Sequence, residues 1–460
     1  MKHVGILFSL LTCVCLLCGC SKLFPEQQTS APKPANTPKP EPVSVVSAPH
    51  KEQPVSVTTQ PELQAEVPWA RFRGNNGSGL ANGKGLPTKW SESKNLAWKT
   101  KLPGPGSSSP IVVGKRIFVA YYDGYGIDKK NPGDHKNLKR HLLCINADNG
   151  KILWDKTIRK DAPVSGYSGF MQLHGYASGT PVSDGESVFV YFGAWGITAF
   201  DMQGKKLWEA DCGNRTHGFG TGASPILHGD LLIVNASVES GSMIAFNKRT
   251  GKEVWRAENV RDAWNTPVLV KSGNTTQVVI ATHPAIQAYD ADSGKLLWQY
   301  SGSDRKTYIC PSLVTDGQTI YGMSSYHGPL VAVSANGKEV WKCDSRFGVT
   351  VPSPVYFQGH IYYPQDNGNI ACIDAETGKV KKHVFHPSRK ETYASPLVAN
   401  GKLYVVTRTQ GTLVYSATPE MPFIAHNTIA GDDSRFHGCP VPLGQRLLLR
   451  SENYLYCVGE

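Results

Sequence analysis

Apolar and polar positions alternate along this chain in short runs, and the runs arrive in sets of four. After a small residue and a proline comes an apolar run, then a turn, then a second run such as Arg116-Ile117-Phe118-Val119 or Gly401-Lys402-Leu403-Tyr404-Val405-Val406. A third run follows, as in Leu142-Leu143-Cys144-Ile145 or Ile286-Gln287-Ala288-Tyr289, and a Gly-Lys turn leads into a fourth run that usually carries Trp. Alternation over four to eight positions is the two-residue period of a strand, so each set predicts a four-stranded antiparallel sheet.

The sets repeat. Small residue and proline recur at Ser109-Pro110, Thr180-Pro181, Ser224-Pro225, Thr266-Pro267, Cys310-Pro311, Ser353-Pro354, Ser395-Pro396 and Cys439-Pro440. After a first gap of 71 residues the prolines stand 44, 42, 44, 43, 42 and 44 apart. A period of 40–50 residues in an all-β pattern marks a propeller, one blade per period, and eight periods predict an all-β, eight-bladed β-propeller. The last period supplies only three strands, ending in Tyr454-Leu455-Tyr456-Cys457-Val458. Far upstream, Asn95-Leu96-Ala97-Trp98-Lys99 resembles a fourth strand without its first three. An N-terminal strand closing the last blade would cover edges that otherwise template aggregation.

The turns carry their own chemistry. Asn149-Gly150, Gln203-Gly204, Thr250-Gly251, Ser293-Gly294, Asn336-Gly337 and Thr377-Gly378 each offer glycine where a hairpin needs positive φ. Four residues on stand Trp154, Trp208, Trp255, Trp298 and Trp341, with Lys382 at the sixth place. Indoles at one position in successive blades are expected between neighbouring sheets.

The ends read differently. Residues 1–20 pair Lys2 with an apolar stretch from Val4 to Leu17 and finish on Cys18-Gly19-Cys20, a secretory signal in charge and length. Leu17-Cys18-Gly19-Cys20 resembles a bacterial lipobox, which implies lipidation at Cys20; Ser21 and Lys22 after it point to the outer membrane, facing the periplasm. Residues 21–68 hold ten prolines and little apolar periodicity, as expected of a disordered linker. Residues 69–94, rich in Gly and Asn around Phe72-Arg73-Gly74, are expected to strap over the ring, and residues 95–460 to form the propeller.

Without signal and linker the chain keeps 43 basic and 32 acidic residues, a balance that favours anionic partners by long-range attraction. Export and the lack of a recognition motif argue against nucleic acid. Of eleven cysteines, four lie in residues 13–20. Cys144, Cys372 and Cys457 occupy third-strand positions where other repeats have Ala, and Cys310 and Cys439 replace the hydroxyl residue before proline, so these read as small buried apolar groups. Asp290, Asp292 and Gly294 look like a fragment of a calcium loop but coincide with a routine turn; no metal site is expected.

The two long insertions, residues 121–140 inside blade 1 and 158–176 between blades 1 and 2, fall in loop classes that emerge on one face. The inter-blade loops share an arginine, at Arg215, Arg261, Arg305, Arg346, Arg389 and Arg435, and an aromatic, as at Trp264, Tyr308 and Tyr393. His217-Gly218 and His437-Gly438 form a lesser echo, joined by His174-Gly175. Guanidinium groups and aromatic faces around one mouth would suit carboxylates, phosphates or sugars. The same arginines could instead brace loops by bonding neighbouring carbonyls, and both readings stay open here.

The repeat Ser-Pro, Gly-x-Leu-Tyr-Val, Leu-x-Ala-Leu-Asp, Thr-Gly-Lys-x-x-Trp, matched by Ala288-Tyr289-Asp290-Ala291-Asp292-Ser293-Gly294-Lys295-Leu296-Leu297-Trp298, resembles the pyrroloquinoline-quinone (PQQ) repeat family over residues 95–460. Trp69-Ala70-Arg71-Phe72-Arg73-Gly74 is similar to the opening of exported PQQ-like proteins of planctomycete-type bacteria. One branch of the family comprises quinone-dependent dehydrogenases, with PQQ and calcium in the channel and two adjacent cysteines beneath. This chain has no Cys-Cys pair and no Cys-x-x-Cys-His haem site. The other branch resembles the propeller lipoprotein of the outer-membrane β-barrel assembly machine, which holds partner proteins. No Gly-x-Ser-x-Gly, His-Glu-x-x-His or Gly-Lys-Ser/Thr signature occurs. The expectation is a non-catalytic, lipid-anchored, monomeric scaffold for envelope proteins or anionic polysaccharide, with no cofactor. The competing expectation is an enzyme on the decorated face, either a PQQ oxidoreductase or a polysaccharide lyase or hydrolase.

Overall fold

Eight sheets succeed one another along the chain in the computed structural model, which describes residues 69–82, 85–283, 285–302, 308–323, 328–346, 351–385 and 391–460. Blades 1 to 7 are each a meander of four consecutive antiparallel strands, from Ile111–Val113 through Ile152–Ile158 in blade 1 to Leu397–Ala399 through Phe423–Asn427 in blade 7. Blade 8 is built from both chain ends. Leu96–Lys101 pairs antiparallel with Tyr454–Val458, and Trp98 faces Cys457 as Trp298 faces Ala288 in blade 4. The molecule is thus an eight-bladed β-propeller latched by its N-terminal strand.

The core lies between blades. Ile226, Ile233 and Ala245 of blade 3 pack with Val278, Ile280 and Tyr289 of blade 4, all within 3 % of full burial. Each such aliphatic side chain contributes about 1.5–3 kcal/mol on leaving water. The fourth strands seal the flanks through their tryptophans. Trp154, Trp208, Trp255, Trp298 and Trp341 donate Nε1 to the carbonyls of Met202, Lys248, Ala291, Ala335 and Ala375 in the next blade, at 2.8–3.1 Å. In blade 6, Lys382 takes the tryptophan's place opposite Cys372.

First strands line a channel, where their free edges need partners. The small residue before each first strand solves this at the loop end. Its N–H donates to the side chain of its counterpart in the next blade: Ser109 to Thr180, Thr180 to Ser224, Ser224 to Thr266, Thr266 to Ser312, Ser312 to Ser353, Ser353 to Ser395, Ser395 to Cys439 and Cys439 back to Ser109, all at 2.9–3.2 Å. This closed circle explains the repeated motif, since the residue must carry an acceptor one bond from Cβ. It also corrects one repeat. In blade 5 the acceptor is Ser312, not Cys310, so the proline at 311 precedes the functional residue instead of following it.

Residues 69–81 enter the channel rather than only crossing over the ring. Trp69 O accepts from Val112 N, Ala70 O from Ser183 N, and Gly79 O from Val398 N, at 2.8–2.9 Å. The Asn76 amide bonds both N and O of Leu269, and Leu80–Ala81 pairs parallel with Leu397–Ala399. Arg73 donates to Pro354 O. Five blades are tied together by one irregular segment, because an extended chain with exposed amides fits strand edges that no neighbouring sheet can reach. Among the described residues no helix is long and apolar enough to cross a membrane.

Candidate functional site

Loops from strand four to the next strand one, and from strand two to strand three, gather on one face. The insertion within blade 1 spans residues 124–138, between Arg116–Asp123 and Lys139–Asn146. The other follows Ile158 and contains the short helix Met171–His174. The two insertions meet through aromatic packing: Tyr125 and Tyr176 centroids are 5.5 Å apart, and Tyr167 lies 6.1–6.2 Å from each. They form a buttress at one side of the channel mouth.

The inter-blade aromatics converge. Phe219, Trp264 and Tyr308 make a contiguous edge-to-face cluster with centroids 4.7–5.8 Å apart, extended by Phe170 at 4.7 Å from Phe219. Trp264 is buried, its Nε1 bound to Gly220 O at 2.8 Å. With Tyr393 and His437, and with Phe72 of the channel segment, these residues line a central cavity of about 290 Å³. The circle of Ser, Thr and Cys side chains runs around its wall.

Among the described residues, the loop arginines Arg215, Arg261 and Arg435 do not share one site. Arg435 is a brace: it donates to Gln172 O at 2.9 Å and pairs with Glu452 at 2.7 Å, tying the last inter-blade loop to the helix of the insertion. Arg215 and Arg261 instead line a polar cleft of about 490 Å³ at the rim, with His217, Trp264, Glu258 and Asp262. Arg215 reaches Glu239 O at 3.4 Å, whereas the exposed Arg261 side chain has no hydrogen bond or ion pair among the described residues. Asn259 and Asp262, on either side of Arg261, hold φ of 64° and 53°, a conformation that non-glycine residues adopt at a cost. His217 is exposed and meets Trp264 edge to face at 5.0 Å. Arg346 ends the strand Glu339–Arg346, opposite Pro329. Arg305 and Arg389 lie outside the described residues.

Three further arginines are buried one layer below the mouth. Arg140 sits 4.3 Å over Trp195 and bonds Phe192 O at 2.8 Å. Arg408 stacks 4.4 Å over Tyr393 and pairs with Glu391. Arg450, only 1 % exposed, bonds Ser108 through its carbonyl and hydroxyl at 2.5 and 2.6 Å. Burial lowers the pKa of Arg450 and Arg140 to about 9, which still leaves them charged at neutral pH. Arg140 and Arg450 stand at the mouth ends of strands Lys139–Asn146 and Arg446–Arg450, and Arg408 follows Lys402–Val406 by two residues. Neighbouring charges, as in Lys139-Arg140-His141 and Arg446-Leu447-Leu448-Leu449-Arg450, leave them unmarked in sequence. Burial first, and neighbouring arginines after it, keep two histidines neutral. His437 is pushed well below its ordinary value by desolvation and then by Arg408 and Arg435; His174 is lowered to about 4 by desolvation.

The calcium of the dehydrogenase branch does not fit the described residue set. The described lining of the central cavity offers a single carboxylate residue, Asp366, and among the described residues no three His, Cys, Asp or Glu side chains gather as metal ligands. A hard divalent cation takes six to eight oxygen ligands, carboxylates foremost.

Comparison with known proteins identifies the family. The family model for "Outer membrane protein assembly factor BamB" matches residues 136–326 and 326–419. The BamB of Yersinia pestis is 23% identical over 342 residues, which cover 70% of this chain and 79% of that protein. Among solved structures, BamB from Moraxella catarrhalis superposes with a TM-score of 0.56 at 13% identity, covering 79% of this chain and 96% of that one. A europium-containing methanol dehydrogenase superposes with a TM-score of 0.60 at 12% identity, covering 85% and 98%. At such identity both structures speak for the propeller fold alone. The match to the family model extends over more than half of the sequence, and the chain belongs to the outer membrane protein assembly factor BamB family.

Proposed function

We propose that this protein is a non-catalytic scaffold of the bacterial envelope, held to the periplasmic side of the outer membrane by a lipid on Cys20, that binds other envelope proteins through its loop face. The observation that carries this reading is the rim cleft between blades 2, 3 and 4. There Arg215, Arg261, Glu258 and Asp262 present charge of both signs beside Trp264, on loops fixed to a rigid ring. Mixed charge around a buried aromatic is the composition of a protein-binding surface, where a central anchor supplies affinity and rim charges supply orientation and on-rate. A site for anionic polysaccharide would lack reason to place Glu258 and Asp262 among its arginines. Family membership supports an assembly-type partner, since the relatives are named as outer membrane protein assembly factors.

The test is site-specific photo-crosslinking in the native envelope from a residue inserted at Arg261. One discrete adduct with a membrane protein is expected, lost in Arg215→Glu with the fold intact. Absence of any adduct, or an adduct pattern unchanged by Arg215→Glu, would sink the reading. Anchoring is tested separately: Cys20→Ser should move the protein from the membrane pellet to the soluble fraction.

A further inference from the structure

A further pocket lies off the channel axis, in the crevice between the insertion that follows blade 1 and the loop joining blades 2 and 3. Ser165, Arg215 and His217 border its opening, and the buried Arg140, Tyr191 and Phe192 close its floor. Ser178 alone of its lining also borders the central cavity, so the two are separate spaces. The opening shares Arg215, Thr216 and His217 with the rim cleft, but Glu258 and Asp262 of that cleft do not line it.

The floor is held in place. Arg140 reaches across from blade 1, stacks 4.3 Å over Trp195 of blade 2 and donates through Nη1 to Phe192 O at 2.8 Å. It is 8 % exposed, and its Nε has no partner. A guanidinium carries five N–H donors in a rigid fork and no acceptor, so a fork with one arm tied keeps the rest for an acceptor brought from outside. Arg215 stands exposed at the opening, its side chain joined to the described residues by a 3.4 Å contact with Glu239 O.

No Asp or Glu lines this pocket. Glu239 lies behind its wall. That carboxyl is 2 % exposed, accepts at Oε1 from Thr221, and feels Arg140 without forming an ion pair with it. Two guanidinium groups against one carboxylate leave the pocket positive. Its volume is about 30 Å³, room for about two waters, so a compact ion fits and a sugar or an aromatic ring stays outside.

We propose that this pocket binds one small free oxyanion, phosphate foremost, between Arg140 and Arg215. The bound ion would tie the insertion to the next inter-blade loop. It needs no protein partner, and the docking cleft can be filled or empty without it.

The experiment titrates inorganic phosphate into the purified full chain at neutral pH and physiological chloride, by calorimetry and by melting temperature, which a ligand of the folded chain alone must raise. Binding at one site is expected, weakened at least about tenfold in Arg215→Gln, the loss of one charge-assisted hydrogen bond. Because Arg215 is exposed, that variant reads the site at an unchanged fold. Arg140→Met should abolish binding where it folds. Lys129→Gln removes a charge from the exposed loop of blade 1 and should leave binding unchanged, which separates a site from diffuse attraction. Short-chain phosphatidate offers the same group from a lipid and should bind no tighter than the free ion. No binding of phosphate, undiminished binding in Arg215→Gln, or an equal loss in Lys129→Gln would overturn the proposal. So would phosphatidate bound about tenfold tighter than phosphate, which would make a lipid the ligand. A failed crosslink at Arg261 would leave this site standing, and absent phosphate binding would leave the crosslink standing.

Discussion

Trp298 of blade 4 lies with its indole against Gly337, the turn glycine of blade 5, and its Nε1 donates to Ala335 O of the same turn at 2.9 Å. A Cβ on Gly337 would stand 2.9 Å from the indole, and Gly337 has φ +84°. The glycine is therefore required twice, by the turn and by the ring packed on it. The relation recurs at Trp98 and Gly150, Trp208 and Gly251, Trp255 and Gly294, and Trp341 and Gly378. The period of the sequence is thus a contact between blades, not only a pattern within one.

Trp298→Ala should cost about 3–5 kcal/mol, the usual loss for a large aromatic truncated in a packed site. Gly337→Ala should cost about 1–3 kcal/mol, from a strained φ and a displaced indole. Because the two changes remove one contact, the double variant should lose less than the sum. Urea unfolding of the four proteins checks this; strict additivity would mean that the two residues do not act together.

The circle of inner-strand bonds gives a sharper test, because sequence and structure disagree about blade 5. Ser312→Ala leaves Thr266 N–H without its acceptor and should cost about 1–3 kcal/mol. Cys310→Ala removes a half-buried thiol that stands outside the circle and should cost less than half as much. A larger loss at Cys310 than at Ser312, measured by unfolding free energy, would restore the reading in which Cys310 occupies the repeat position.

Residue patterns made the architecture legible where one blade repeats another. Trp98 was recognisable as a displaced fourth strand because Trp154 to Trp341 set the template. Ser312 was missed because the proline at 311 imitates the motif two residues early, and only the bonding partner distinguishes them. The mouth was less legible for a physical reason. Equivalent positions such as Arg261 and Arg435 look alike in sequence, yet one points into solvent and the other finds Glu452 of its own blade and Gln172, which a single insertion brings within reach. The channel segment follows no period at all, so Asn76 carried no signal despite two bonds to Leu269.

Neutral buried histidines make stability depend on pH in a defined window. His174 has its pKa lowered from 6.5 to about 4, its Nδ1 bonded to Ser178 and its Nε2 to Phe219 O. The unfolded chain then binds more protons than the folded one between those values, so stability falls as pH drops from about 6.5 towards 4. Asp374, lowered to about 2 chiefly by its bond to Thr377, adds acid lability only below its ordinary value of 3.8. Glu239 opposes the trend, since desolvation raises its carboxyl, and the stability tied to its proton is lost as pH rises. His174→Gln should therefore flatten the melting temperature between pH 6.5 and 4 without changing the steep loss below 4. An unchanged slope would show that His174 is not held neutral in the fold.

The channel segment separates two roles for buried polar groups. Asn76 satisfies N and O of Leu269 together, so Asn76→Ala strands both and should cost about 1–3 kcal/mol. Arg73 is different. Its Nη2 bonds Pro354 O, but Nε and Nη1 have no partner, and burial lowers its pKa to about 10. Replacing a half-satisfied buried charge with an apolar chain of similar length is often neutral or stabilising. Arg73→Met should therefore stay within about 1 kcal/mol of the natural protein in denaturant unfolding while Asn76→Ala does not. A loss at Arg73 as large as at Asn76 would mean that its charge is fully compensated in the channel.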